Sequence, residues 1–152
     1  MEKAKVIKNQ DYKKLINELE GIIKSGRHQA YKAVDNIKVQ TYWQIGERIV
    51  REELKYKDRA DYGKYLIDNI SVDLGVEKQL LHRLVKFYKL YPIVVTLQPQ
   101  LSWNHYVALI PIVEPKERSF YETKTINYSW SIRELRRQIK NQLYQKTDSN
   151  VI

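Results

Sequence analysis

The chain has 152 residues, 27 Lys and Arg against 18 Asp and Glu, a formal charge of +9, and no cysteine. That length is one domain's worth, and folding at this size removes roughly 70% of the unfolded surface from water, so a core forms without disulfides or a structural metal. The lack of cysteine excludes thiolate zinc sites, iron–sulfur ligation and Cys nucleophiles, 43% hydrophobic with 30% charged residues excludes a disordered or membrane chain, and the positive excess points to a polyanionic partner.

Residues 1–10 read as a basic N-terminal arm without the apolar block of a signal peptide, and no apolar run approaches the roughly 20 residues that span a bilayer. The expectation is a cytoplasmic protein with no membrane partner. Residues 11–145 read as one compact all-α domain of about seven helices, and 146–152 as a polar tail. Asp11 caps a first helix carrying Leu15, Ile16, Leu19, Ile22 and Ile23, with Ser25-Gly26 as its stop. A second runs from about Arg27 to Lys55. A third, from about Asp61 to Leu74, turns Tyr65, Leu66, Asn69, Ile70 and Leu74 inward and stops at Gly75. A fourth spans Glu77 to about Leu90, closed by Tyr91-Pro92. Ile93 to Leu97 serves as a connector. Ser102 caps a helix beginning at Trp103, Pro115 opens the next, and Ser131-Ile132-Arg133-Glu134 matches a capping box for a last helix reaching about Gln145.

Helices three and four, joined across Gly75-Val76, have the lengths and tight turn of a helix-turn-helix. On the second of them Lys78, His82, Lys86 and Lys89 fall within about 80° at 100° per residue, with Arg83 beside them. Such a face neutralises phosphates and releases counterions; it is also what a solvated bundle helix looks like. Its lysines favour phosphate contact over base readout. Twelve tyrosines and three tryptophans either stack on unpaired bases or fill the core. His28, His82 and His105 lie on different helices without metal-ligand spacing, so no metal or cofactor is expected. The acid-x-Lys tripeptides at Glu53, Glu114 and Glu122 lack a converging carboxylate set, so no catalytic residue is assigned and the chain is not read as an enzyme in its own right.

Six phrases in order, Tyr42-Trp43-Gln44-Ile45-Gly46, Arg59-Ala60-Asp61-Tyr62-Gly63, Phe87-Tyr88 ahead of Tyr91-Pro92, Leu101-Ser102-Trp103-Asn104-His105, Arg118-Ser119-Phe120-Tyr121-Glu122 and Trp130-Ser131-Ile132-Arg133-Glu134-Leu135, resemble the N-terminal domain of the YhcG-like nuclease family. The resemblance runs from about Leu15 to Tyr144. It implies an all-α module that precedes a PD-(D/E)XK nuclease domain, supplied in cis or in trans, in proteins of DNA recombination, restriction or defence against mobile DNA. That catalytic domain is absent, so the chain is either an excised N-terminal domain or a natural short form. The implied structural positions are Tyr42, Trp43, Gly46, Tyr62, Gly63, Trp103, His105, Phe120, Tyr121, Trp130, Arg133 and Glu134. Gly46 and Gly63 are read as points of close helix approach, and the tryptophans as core anchors.

The expected function is therefore a noncatalytic DNA-binding or targeting domain, with Lys78, His82, Arg83, Lys86 and Lys89 as one basic surface and Arg133, Arg136, Arg137 and Lys140 as a second. The alternative is a protein-interaction or oligomerisation module that does not contact DNA. Ile132, Leu135, Ile139 and Leu143, spaced three, four and four apart, form a narrow seam that either pairs two copies in a homodimer or lies against the rest of the domain.

Overall fold

The computed structural model describes residues 10–58 and 60–148, and of these the side chains of 60–64 and 148 are not described. The chain divides into two units, Met1–Asp35 and Asn36–Ile152. Among the described residues every regular element is helical: α1 (Gln10–Lys55), α2 (Ala60–Leu74), α3 (Lys78–Leu90), a 3-10 turn (Val94–Thr96), α4 (Trp103–Leu109), α5 (Pro115–Tyr128), α6 (Ile132–Lys140) and α7 (Leu143–Asp148).

The first unit contains the N-terminal part of α1. The stop expected at Ser25-Gly26 does not occur, and one helix runs through it. A glycine inside a helix costs only about 1 kcal/mol relative to Ala, too little to end a helix whose apolar periodicity continues on both sides.

In the second unit, local rules set most helix ends. Gly75 has φ of +65°, a left-handed conformation that closes α2, and the Ser71 hydroxyl donates to the Val76 carbonyl at 2.6 Å to pin the turn into α3. Pro115 starts α5. Ser102 Oγ accepts from the His105 N–H at 3.2 Å, and Ser131 Oγ accepts from the Glu134 N–H at 3.1 Å. The first of these caps is reciprocal, with the His105 ring accepting from the Ser102 N–H at 3.0 Å. In the second, the Glu134 carboxylate instead takes Arg137 and Gln138. The last helix is also divided: Gln142 adopts φ of 57°, and α7 is tied to α5 where the Tyr144 N–H donates to the Tyr121 hydroxyl at 3.1 Å.

The core forms on both sides of α3. Leu84 and Phe87 face a large cluster with Val39 and Trp43 of α1, Trp103, Tyr106 and Leu109 of α4, Tyr121 of α5 and Leu135 of α6. Leu81 and Val85 face a smaller cluster with Ile49, Val50 and Ile67. Phe87, Tyr106, Tyr121 and Leu135 are fully covered, each burial worth about 1.5–3 kcal/mol. On α2 the inward residue is Ile67, with Leu66 and Ile70 beside it, whereas Tyr65 and Leu74 are exposed. The expected inward set was therefore rotated, because α2 carries apolar residues on more than one side.

Aromatic side chains organise the large cluster. Phe87 meets Trp103 edge-on at 5.1 Å and Tyr106 at 5.0 Å, Tyr42 meets Trp103 at 4.8 Å, and Trp43 meets Tyr88 at 5.4 Å. These are the offset geometries that aromatic quadrupoles favour. The Trp43 indole N–H donates to the Tyr91 carbonyl at 2.6 Å, joining α1 to the end of α3.

Candidate nucleic-acid interface

The two faces of α3 are sharply different. With Leu81, Leu84, Val85 and Phe87 buried, the outward arc is left to Lys78, His82, Arg83, Lys86 and Lys89, all exposed. The helix cannot rotate without pulling side chains out of both clusters, so the core fixes the direction of this basic face. Its position along α1 is fixed at Gly46. A Cβ built there would lie 2.1 Å from the Leu84 carbonyl oxygen and 3.1 Å from Tyr88 Cβ, so backbone meets backbone where these helices touch.

Lys78 pairs with Asp68 of α2 at 3.0 Å, both half exposed. Among the described residues no carboxylate stands within ion-pairing distance of Arg83, Lys86 or Lys89. Four cationic or protonatable groups beyond Lys78 thus share one arc of a rigid helix. Like charges held together are stabilised by an anion that lies across them, as a phosphate backbone does.

The second basic surface is only partly available. On α6, Arg133, Arg136, Arg137 and Lys140 are exposed, but Arg137 grips Glu134 with two bonds, of 3.0 and 2.7 Å, and this holds the Glu134 carboxyl down to about 2. Arg133, Arg136 and Lys140 remain. α6 packs on α4, α5 and α7 and α3 on α2, while α3 and α6 both contribute side chains to the same large cluster.

Of the two arrangements open to the α6 seam, the second is found. Leu135 is fully buried, and Ile132, Ile139 and Leu143 pack against the chain's own main cluster. Ile132, Ile139 and Leu143 are only partly covered there.

The family-motif positions are chiefly packing and capping residues. Trp43 and Trp103 are buried, Trp130 is half-buried and stacks with Tyr128 at 6.1 Å. Phe120 meets Tyr121 at 5.2 Å and Tyr144 at 5.3 Å. His105 Nδ1 accepts from the Ser102 amide, so its other nitrogen carries the proton and donates to the Trp130 carbonyl at 2.9 Å. This one ring joins the start of α4 to the start of α6. Tyr62 and Gly63 lie outside the residues whose side chains are described.

One polar group in the core escaped sequence reasoning. The Tyr91 hydroxyl donates to Glu122, Arg118 lies against the Tyr91 ring at 5.8 Å and donates to the Ile112 carbonyl at 2.8 Å, and the Tyr106 hydroxyl accepts from the Gln98 N–H at 2.8 Å. Burial pushes the Tyr91 hydroxyl well above its ordinary value, the nearby Glu122 charge adding to it. Burial likewise raises Tyr106 to about 12 and raises Glu122, against the pull of Tyr91 and Arg118. The signal available in sequence was Arg118 and Glu122 at i and i+4 on a helix rich in aromatics, a spacing that reads equally well as a surface ion pair.

Glu122 is thus occupied structurally, while Lys124 lies over the Phe120 and Tyr128 rings at 5.5 and 5.2 Å; this acid-x-Lys tripeptide does not assemble a site. Among the described residues no group of three or more His, Asp or Glu is arranged to hold a metal ion, and no helix is long and apolar enough to cross a membrane.

Comparison with known proteins gives two matches. The chain is 28% identical over 164 aligned positions to the Escherichia coli (strain K12) protein named "Putative nuclease YhcG", an alignment covering 83% of this chain and 44% of that protein. The chain thus spans less than half the length of this relative. No solved structure matches. The model of the DUF1016 N-terminal domain matches residues 18–146, which takes in the basic face of α3, the aromatic core and both capped helices, and the chain belongs to that family.

Proposed function

We propose that this domain is the DNA-holding part of a nuclease system, gripping duplex or branched DNA through the outward face of α3 and leaving cleavage to a separate nuclease domain, supplied in cis or in trans. The observation that carries the reading is the fixed basic arc of Lys78, His82, Arg83, Lys86 and Lys89 over a helix whose other face is locked into two core clusters. α2 and α3 form a helix-turn-helix-like pair across the Gly75 turn, with α3 in the place of a recognition helix. The name of the E. coli relative supports the link to nuclease action. Lysines dominate the arc, so binding is driven by phosphate contacts and discriminates weakly among sequences. Arg133, Arg136 and Lys140 supply a second, weaker contact.

An electrophoretic titration at low salt with duplex, branched and single-stranded DNA tests this. The expected result is a shift with duplex or branched DNA that weakens about equally across sequences when Lys78, Lys86 and Lys89 are replaced by Ala. No shift with any form leaves the interaction-module reading in its place, which the exposed apolar face of α1 favours.

A further inference from the structure

The first unit carries a surface that the DNA-binding reading does not use. At 100° per residue, every position from Leu15 to Val34 inside an arc of about 120° is aliphatic or glycine. Of the larger side chains on it, Ile16 is partly covered and the rest stand open: Leu15 is 48% exposed, Leu19 44%, Ile22 67%, Ile23 52% and Val34 67%. Ordinary solvated helices do not keep so continuous an apolar face, and contiguous patches of several hundred Å² mark contact surfaces.

We propose that this face pairs, antiparallel, with the same face of a second copy of the chain. The size pattern is self-complementary in that direction. A two-fold axis between Lys24 and Ser25 sets Ile23 against Gly26 of the second copy, Leu19 against its Ala30, and Leu15 against its Ala33, a bulky side chain meeting a small one each time. Parallel pairing instead sets Ile23 on Ile23 and Gly26 on Gly26, crowding one end and leaving the other hollow.

The charges bordering the arc agree. Two helices related by this axis bring like edges together, which places Glu20 beside Arg27 of the other copy and, on the opposite edge, Glu18 beside its Lys32, each pair occurring twice. The area sets the strength. A face of nine positions along one helix stays below the about 800 Å² per partner of a standard interface, which fits a reversible dimer rather than an obligate one.

Analytical ultracentrifugation of the 152-residue chain across concentration is the test, combined with cysteine crosslinking, for which the cysteine-free sequence is a clean background. The expected result is a concentration-dependent dimer, abolished by Leu19→Asp with the thermal transition of the second unit unchanged. Glu20→Arg and Arg27→Glu should each weaken the dimer at least tenfold, and together restore it. Leu15→Cys protein should crosslink with Ala33→Cys protein but not with itself, since like positions would stand about 28 Å apart along the helix axis. A monomer at every concentration, a dimer indifferent to Leu19→Asp, or self-crosslinking of Leu15→Cys would each overturn the proposal. Because none of these readouts involves DNA, they stand or fall separately from the DNA-binding reading.

Discussion

α3 and the N-terminal part of α1 are both strongly amphipathic, and their apolar faces meet opposite fates. On α3 that face disappears into two clusters of the same chain, and the charged face is what remains for a partner. On the first unit of α1 the apolar face itself remains open. Periodicity therefore says that a face seeks cover, and says nothing about which molecule provides it.

Alanine at two glycines breaks this comparison most sharply, because the same change should act in opposite directions. At Gly46 the new Cβ would sit 2.1 Å from the Leu84 carbonyl, a rigid backbone atom, so α1 and α3 must separate. Gly46→Ala should cost about 3 kcal/mol, at the upper end of overpacking effects, seen as a lower midpoint in urea unfolding. At Gly21, on the polar side of α1, an added Cβ meets nothing within 4 Å. Gly21→Ala should firm the helix by about 0.5–1 kcal/mol, read as slower amide exchange in residues 12–34.

The buried hydroxyls of the second unit give it a pH signature. A phenol whose folded value exceeds its unfolded one keeps its proton in the folded state after the unfolded chain has lost it, so stability falls as pH rises. With Tyr106 raised from 10.0 to about 12 and Tyr91 raised as well, unfolding free energy should decline from about pH 10 upward. Glu122, raised by burial, acts with the same sign in acid, its contribution being lost as pH rises through its folded value. Glu134, held down to about 2, acts oppositely, losing its contribution as pH falls toward that value. Urea unfolding from pH 8 to 11 should show the alkaline decline, and Tyr106→Phe should make it shallower.

A smaller effect concerns the α6 surface. Glu134→Gln removes the carboxylate that occupies Arg137 while leaving the backbone N–H that Ser131 caps. If α6 shares in DNA contact as proposed, this variant should bind slightly tighter, with a salt dependence steeper by up to about one phosphate contact.

Signals confined to a few adjacent residues were legible at most helix ends, Ser25-Gly26 inside α1 being the exception. Ser102, Ser131, Pro115 and Gly75 each satisfy or remove a backbone group at a helix end, and each sits where those rules place it. Features that depend on distant partners were not. Gln142 is a non-glycine residue with positive φ, next to a helix whose first turn is held by Tyr121 across 23 positions. The Tyr91–Glu122 bond spans 31 positions, and the Arg118–Glu122 spacing beside it names no partner so far away. The basic arc was legible because a charged face needs no partner within the chain, whereas the α6 seam was ambiguous because a narrow apolar stripe fits a neighbour in the same chain as well as in another.

The most direct test of the central claim is the salt dependence of DNA affinity, measured by fluorescence anisotropy for the native chain and for the variant with Lys78, Lys86 and Lys89 replaced by Ala. The account predicts that log K falls linearly with log salt, with the variant's slope shallower by roughly 2 to 3 as its phosphate contacts are lost. An identical slope in the two proteins, or native binding that does not respond to salt, would contradict it.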